Sequence, residues 1–161
     1  MTKFAAFALA NIAMLVALPF NSLLATKADA PLYTHFVYMF AHADILHWAI
    51  NAWAILAMHR IISVRMAAVA YIAAVILSFF AKQPTVGASA MVFFVFGCLT
   101  PTLLSHRKIF LLQIIIYLAV AFLLPGVAAG LHCAAYIVGI IYIGAHKTAY
   151  QIKRIFDENN T

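Results

Sequence analysis

Six apolar runs, separated by short polar or turn-forming breaks, constrain the fold of this 161-residue chain more than any other feature. The runs lie at 4–20, 41–58, 64–81, 86–104, 109–124 and 127–145. A helix needs about 20 residues to cross the roughly 30 Å hydrocarbon core of a bilayer. Because six such spans and the short loops between them would use nearly the whole chain, we predict an all-α membrane protein: a single six-transmembrane-helix domain, 1–161, with a cytoplasmic tail at 146–161.

Composition supports a lipid environment and narrows the range of partners. The chain is 67% hydrophobic and 9% charged, whereas soluble domains are about 45–50% apolar and about 25% charged. The formal charge of +6 comes from basic residues between the apolar runs, so we expect no nucleic-acid partner and attribute the charge to membrane orientation. Cys98 and Cys133 lie inside apolar runs and are interpreted as packing residues.

The distribution of basic residues predicts the orientation of the chain. With the N-terminus inside, the inner side would hold eight of them: Lys3, Arg60, Arg65, Arg107, Lys108, Lys147, Lys153 and Arg154. The outer side would hold only Lys27 and Lys82, which is a clear positive-inside bias. We therefore expect both termini in the cytoplasm. A cleaved signal peptide is the alternative for the first thirty residues, since a basic start and an apolar run precede Ala28-Asp29-Ala30.

Four polar side chains inside the apolar runs are candidates for a functional site, because polar groups within membrane spans are costly. His47 and Asn51 are four residues apart and share one helix face. Ser89 follows Gly87 near the outer end of the fourth run, and His132 lies in the sixth. In the predicted topology all four lie in the outer half of the membrane. Taken singly, Ser89 also fits a helix-packing residue and a histidine fits a buried hydrogen-bonding group.

Together, the four side chains suit acyl transfer. A serine hydroxyl needs an adjacent base, and histidine titrates near neutrality. The reaction also needs hydrogen-bond donors for a developing oxyanion. We therefore predict Ser89 as nucleophile, His132 as base, and His47 and Asn51 as oxyanion donors, with no cofactor and no metal.

The acidic residues exclude two other intramembrane chemistries. Asp29, Asp44, Asp157 and Glu158 are the only acids, and none lies deep in an apolar run, which excludes a two-aspartate protease. No H-E-x-x-H pattern is present, which excludes a zinc protease of that type. With no acid near His132 in sequence, we predict a Ser-His dyad and not a triad. Asp44 remains a candidate for orienting His47.

These residues resemble the rhomboid family of intramembrane serine proteases. The family's His-x4-His-x3-Asn pattern matches His42-ADIL-His47-WAI-Asn51. Its G-x-S-G motif matches Gly87-Ala88-Ser89-Ala90. Its sixth-span histidine, followed by small residues at helical spacing, matches His132 and Gly139. The order of the motifs and the number of spans also agree, so the resemblance covers essentially the whole chain.

The resemblance implies a multi-pass protease, expected in a bacterial inner membrane, whose active site opens to the outer face. Its substrates would be transmembrane proteins, cut in or near their membrane spans. The Ser89 backbone N–H would join the oxyanion donors. His42 and Gly87 would line the cavity, and Phe93 would lie against the catalytic imidazole. The fifth span would be the lateral substrate gate, and residues 21–40 a loop that dips into the membrane.

Three departures from the family pattern concern packing and loop anchoring. Ala90 and Ala135 stand where the family usually has glycine, and the Trp-Arg pair common in the first loop is missing. Two other functions stay open on the sequence. One is a non-catalytic rhomboid-like protein that binds membrane clients. The other is a cofactor protein in which His47 and His132 ligate a haem or a metal, a reading that leaves Ser89 and Asn51 unexplained.

Overall fold

The chain is helical throughout the part that the structure describes. A computed structural model describes residues 3–59, 61–103, 112, 114–117, 119 and 128–159. Within these ranges no β-strand forms, and the only extended pairing is an isolated bridge between Thr26 and Thr85. The predicted all-α class is thereby confirmed for the described residues.

Seven α-helices account for most of these residues. They are α1 Lys3–Val16, α2 Asn21–Leu24, α3 Leu32–Val37, α4 Ile45–Met58, α5 Val64–Ser78, α6 Ser89–Leu103 and α7 Ala129–Asn159. Two short 3₁₀ turns, Leu18–Phe20 and Tyr38–Phe40, follow α1 and α3.

The helices match the predicted spans in order but not in length. Helices α4, α5 and α6 have 14, 15 and 15 residues, which corresponds to about 21–23 Å. Among the described residues, one helical segment, Ala129–His146, is long and apolar enough to cross a membrane. Most of the predicted fifth span, 109–124, lies outside the described residues, and the six-span arrangement stays a prediction.

The second and fourth predicted spans begin before their helices do. Hydropathy starts them at Ala41 and Val86, whereas the helices begin at Ile45 and Ser89. The reason is that hydropathy does not show where a helix is capped. Asp44 caps α4 in an extended conformation, and its carboxylate accepts the backbone N–H of His47 at 2.8 Å. At the other end of the chain, α7 continues to Asn159 through the predicted tail.

Helix α6 lies at the centre of the packing, and residues 92–100 are all buried. Its closest neighbour is α7, which approaches it backbone to backbone at two glycines. A Cβ on Gly97 would strike the carbonyl of Tyr136, and a Cβ on Gly139 would strike the carbonyl of Phe94. The Cys98 thiol donates to the Gly139 carbonyl at 3.4 Å in the same contact. Small residues thus set how close these two helices come.

Several polar side chains are fully buried while many large apolar side chains are exposed. Thr26, His35, His42 and Ser78 are at most 1% exposed. Large apolar side chains on several helices face outward instead, among them Val16, Leu46, Val64, Phe80 and Ile141, each more than 60% exposed. Extended apolar surface of this kind is typical of contact with lipid.

The glycine contact between α6 and α7 predicts a specific sensitivity. Gly139→Ala should lower the thermal unfolding midpoint of the detergent-solubilised protein, because overpacking against the Phe94 carbonyl costs about 1–3 kcal/mol. Gly144→Ala is the matched control on the same helix, since a Cβ there meets nothing within 4 Å. It should raise the midpoint through the better helix propensity of alanine. Equal shifts for the two variants would contradict the close approach.

Candidate active site

Ser89 is the first residue of α6, where the backbone N–H groups have no acceptor within the helix. The first intrahelical bond runs from the N–H of Val92 to the carbonyl of Ala88 at 3.1 Å. The Ser89 side chain is partly exposed. A hydroxyl at this position therefore lies beside N–H groups that the helix leaves available to an anion.

His132 comes from the first turn of α7 and lies directly against Ser89. Ser89 Oγ and His132 Nε2 are 2.7 Å apart, a hydrogen-bonding distance between residues 43 positions apart in sequence. If the imidazole is neutral and Nε2 accepts the hydroxyl hydrogen, the ring proton is on Nδ1. Nδ1 is buried and hydrogen-bonds to none of the described residues. The two side chains form a pair with no acid attached among the described residues.

An aromatic ring orients the His132 imidazole. Phe93, one turn after Ser89 on α6, stacks on it with ring centroids 4.6 Å apart and planes 16° apart. Phe93 in turn meets Phe96 edge to face at 5.9 Å. Stacking restricts rotation of the imidazole and so holds Nε2 toward the Ser89 hydroxyl.

His47 forms the facing wall from the first turn of α4, and its tautomer follows from its surroundings. The backbone N–H of Ala43 donates to Nδ1 at 3.3 Å. A neutral imidazole that accepts at Nδ1 carries its proton on Nε2. Asp44, a candidate for orienting the ring, bonds the backbone N–H of His47 instead. His47 thus presents Nε2 as a donor, and the helix cap fixes its backbone.

Asn51 lies one turn further along α4 and is 4% exposed. Its side-chain amide donates one hydrogen bond to the His47 carbonyl at 2.9 Å. This bond fixes the amide plane and uses one of its two N–H groups. The other N–H remains as a donor on the face that Asn51 shares with His47.

Gly87 lies two residues before Ser89 and against the side chain of His47, and only glycine suits this position, for two reasons. Its φ is +104°, a conformation that other residues rarely adopt. A Cβ on it would lie 2.7 Å from Cε1 and 3.0 Å from Nε2 of His47. Its N–H donates to the Tyr38 carbonyl at 2.9 Å, so the loop before Ser89 is held against the 3₁₀ turn Tyr38–Phe40.

His42 is fully buried beside His47, off the face that carries Asn51. The two imidazoles meet edge to face with centroids 5.1 Å apart, and His42 Cδ2 would lie 3.5 Å from a Gly87 Cβ. Neither ring nitrogen makes a hydrogen bond of good geometry with a described residue. His42 is 0% exposed, and its cavity-lining role stays a prediction.

Ala90 and Ala135, the two departures from the rhomboid glycine pattern, lie in the hydrophobic core. Ala90 is 1% exposed and Ala135 is fully buried, and both belong to the hydrophobic core around α6. Their methyl groups therefore fill space in the packing between helices. The backbones of α6 and α7 approach each other closely at Gly97 and Gly139 instead.

The structure brings several of the proposed site residues together. Ser89 and His132 contact each other, Phe93 covers His132, and Gly87, two residues before Ser89, packs against His47. Asn51 lies one turn from His47 on the same helix. Sequence reasoning missed the Ala43 N–H and the Tyr38 carbonyl, because backbone groups carry no residue signature. A hydroxyl at hydrogen-bonding distance from an imidazole, with N–H donors on a neighbouring helix, is an arrangement suited to acyl transfer.

Comparison with known proteins does not assign a function to this site. It matches no known protein-family model, no curated protein and no solved structure. The geometry around Ser89 and the sequence patterns are therefore the basis for a functional proposal.

Gly87 gives the site a sharp test of geometry. Gly87→Ala should lower the thermal midpoint and slow the reaction of Ser89 with a fluorophosphonate about tenfold or more, since its Cβ displaces His47. Gly130→Ala is the control, because a Cβ there meets nothing within 4 Å. Unchanged labelling of the Gly87 variant would show that the loop and His47 are not in this close contact.

Proposed function

We propose that this chain is an intramembrane serine endopeptidase of the rhomboid kind. It would cleave peptide bonds in or near the membrane spans of other proteins. One observation carries the proposal: Ser89 Oγ lies 2.7 Å from His132 Nε2 at the N-terminus of a helix. A hydroxyl with a base at hydrogen-bonding distance, next to available backbone donors, is the arrangement that activates a serine nucleophile.

In the proposed reaction, Ser89 Oγ attacks the scissile carbonyl carbon while His132 Nε2 takes the hydroxyl proton. The carbonyl oxygen becomes an oxyanion, held by His47 Nε2–H, the Asn51 amide and the Ser89 backbone N–H. His132 then gives the proton to the departing amine, and the carbon–nitrogen bond breaks. Water attacks the resulting ester with His132 again as base, releasing the acid and the free hydroxyl.

Exposed apolar surface supports placing this reaction in a membrane. The described helices carry large exposed apolar side chains on their outer faces, and Ala129–His146 has the length and composition of a span. We propose six spans, both termini in the cytoplasm and a site that opens to the outer face. The fifth span would admit substrate from the bilayer. Transmembrane proteins are then the partners, and the reaction needs no cofactor.

The two other functions fit the site geometry less well. A non-catalytic client-binding protein has no need of a partly exposed hydroxyl that lies on an imidazole at the N-terminus of a helix. Ligation of a haem or metal by His47 and His132 would leave the contact between His132 Nε2 and the Ser89 hydroxyl without a role. Among the described residues, no group of three or more His, Cys, Asp or Glu side chains is placed to hold a metal ion.

Cleavage by purified protein tests the proposal directly. Reconstituted in liposomes with a panel of single-span substrates, the wild-type chain should release cleavage products. Ser89→Ala and His132→Ala should abolish release, because each removes half of the pair. Ser22→Ala, an exposed serine on α2, is the matched control and should cleave at the wild-type rate. Cleavage by Ser89→Ala at that same rate would refute the mechanism.

Asn51 distinguishes oxyanion stabilisation from substrate binding. Asn51→Ala should lower kcat about 10²–10³-fold and leave KM nearly unchanged, since the donor acts mainly on the oxyanion. Steady-state kinetics on one cleaved substrate provides both constants. A rise in KM with kcat intact would assign the Asn51 amide to substrate binding instead.

A further inference from the structure

A second serine–histidine pair lies outside the candidate active site. His35 on α3 and Ser78 at the end of α5 place Nδ1 and Oγ 2.7 Å apart. Both side chains are at most 1% exposed. The ring of Phe79 stacks on His35 with centroids 3.8 Å and planes 9° apart, much as Phe93 stacks on His132.

The hydroxyl hydrogen of this second pair points away from the imidazole. Ser78 Oγ donates to the Val75 carbonyl at 2.6 Å within its own helix. The oxygen is then left to accept from His35 Nδ1, so the imidazole acts as donor and not as base. Full burial also bars a substrate from reaching it. This pair therefore fits a structural role and not a nucleophilic one.

Two threonines extend the pair into a cluster that reaches the next loop. Thr26 Oγ1 lies 3.1 Å from His35 Nδ1, and Thr34 Oγ1 lies 3.1 Å from Thr26 Oγ1. The backbone of Thr26 forms a two-way bridge with Thr85, with N–H to carbonyl distances of 3.0 and 2.8 Å. Thr85 is two residues before Gly87, so the cluster is joined to the loop that enters α6.

A second connection runs from His35 to the same glycine through α3. Tyr38 follows that helix directly, and its carbonyl accepts the Gly87 N–H at 2.9 Å. The Tyr38 hydroxyl donates to the Ala74 carbonyl on α5 at 3.0 Å, one turn before Ser78. Burial raises the pKa of this phenol, which keeps it a donor. Gly87 is thus held from both sides by segments that meet at His35.

We propose that His35 is a positioning residue for the active site. Through Ser78, Thr26 and Tyr38 it holds Gly87 against His47 and thereby sets the oxyanion wall beside Ser89. The catalytic part of this inference rests on the proposed protease function. The structural part, which concerns the position of Gly87, does not.

The test compares three variants of the full-length protein in detergent. His35→Leu removes the donor, whereas His35→Asn keeps a polar group near the position of Nδ1. Thr100→Val is the matched control, since it removes a buried hydroxyl that bonds Tyr136 at 2.9 Å, nearly three helical turns beyond Ser89. Ser78→Ala makes a smaller change at the same cluster and replaces His35→Leu if that variant does not fold.

Two readouts separate positioning from a general loss of stability. His35→Leu should speed amide hydrogen exchange at Gly87 and slow fluorophosphonate labelling of Ser89, each about tenfold or more. Its KM for a cleaved substrate should change little, and His35→Asn should recover most of both losses. Thr100→Val should lower the thermal midpoint without either effect.

The outcomes distinguish failure of the inference from failure of the proposed function. Wild-type exchange at Gly87 in His35→Leu would overturn the inference whatever the activity. Losses in labelling that simply follow the thermal midpoint in all variants would also overturn it. A wild-type chain that neither labels nor cleaves, yet shows faster Gly87 exchange in His35→Leu, would refute the protease and leave Gly87 positioning standing.

Discussion

The backbone contact between α6 and α7 is the constraint on which the rest of the molecule depends. Gly97 and Gly139 allow the two helices to approach to the point where a methyl group would strike a carbonyl. Ser89 lies at the start of one helix and His132 near the start of the other. Their 2.7 Å contact is therefore set by packing below the site. Helix spacing is a more rigid determinant of that distance than any loop contact.

The candidate site is built from two kinds of support at different depths. Helix packing fixes Ser89 and His132, the proposed nucleophile and base, while contacts at and before the start of α4 fix His47. The helix cap at Asp44 holds the backbone of His47, and the Ala43 N–H sets its tautomer. Gly87, whose N–H donates to the Tyr38 carbonyl, packs against His47 two residues before Ser89. Buried polar groups are usually paired, and His47 and Asn51 bond nearby backbone groups. Both ring nitrogens of His42 and Nδ1 of His132 are buried without a hydrogen-bond partner among the described residues.

Sequence patterns predicted which side chains form the candidate site better than they predicted the caps and backbone groups that hold those side chains. His47 and Asn51 share a face because residues four apart do so in any helix, and the all-helical class follows from the apolar runs. The predicted starts of the second and fourth spans were too early, because α4 begins only after Asp44 and α6 only after Ala88, both inside apolar runs. Asp44 was a candidate for orienting the His47 ring, but its carboxylate accepts the His47 backbone N–H instead. Sequence does not show which atom a carboxylate bonds. His35 was not singled out, since nothing local indicates that Ser78, 43 residues away, lies beside it.

The presence of two serine–histidine pairs in one small chain bears on how catalytic serines are recognised. Both pairs have the same separation, and both have an aromatic ring stacked on the imidazole. A search by residue type and distance would score them alike. What separates them is a third atom: the Val75 carbonyl accepts the hydrogen of one hydroxyl, and only the other serine is partly open to its surroundings. Counting the acceptors around each hydroxyl is therefore a more discriminating criterion for a nucleophile than measuring its distance to a base.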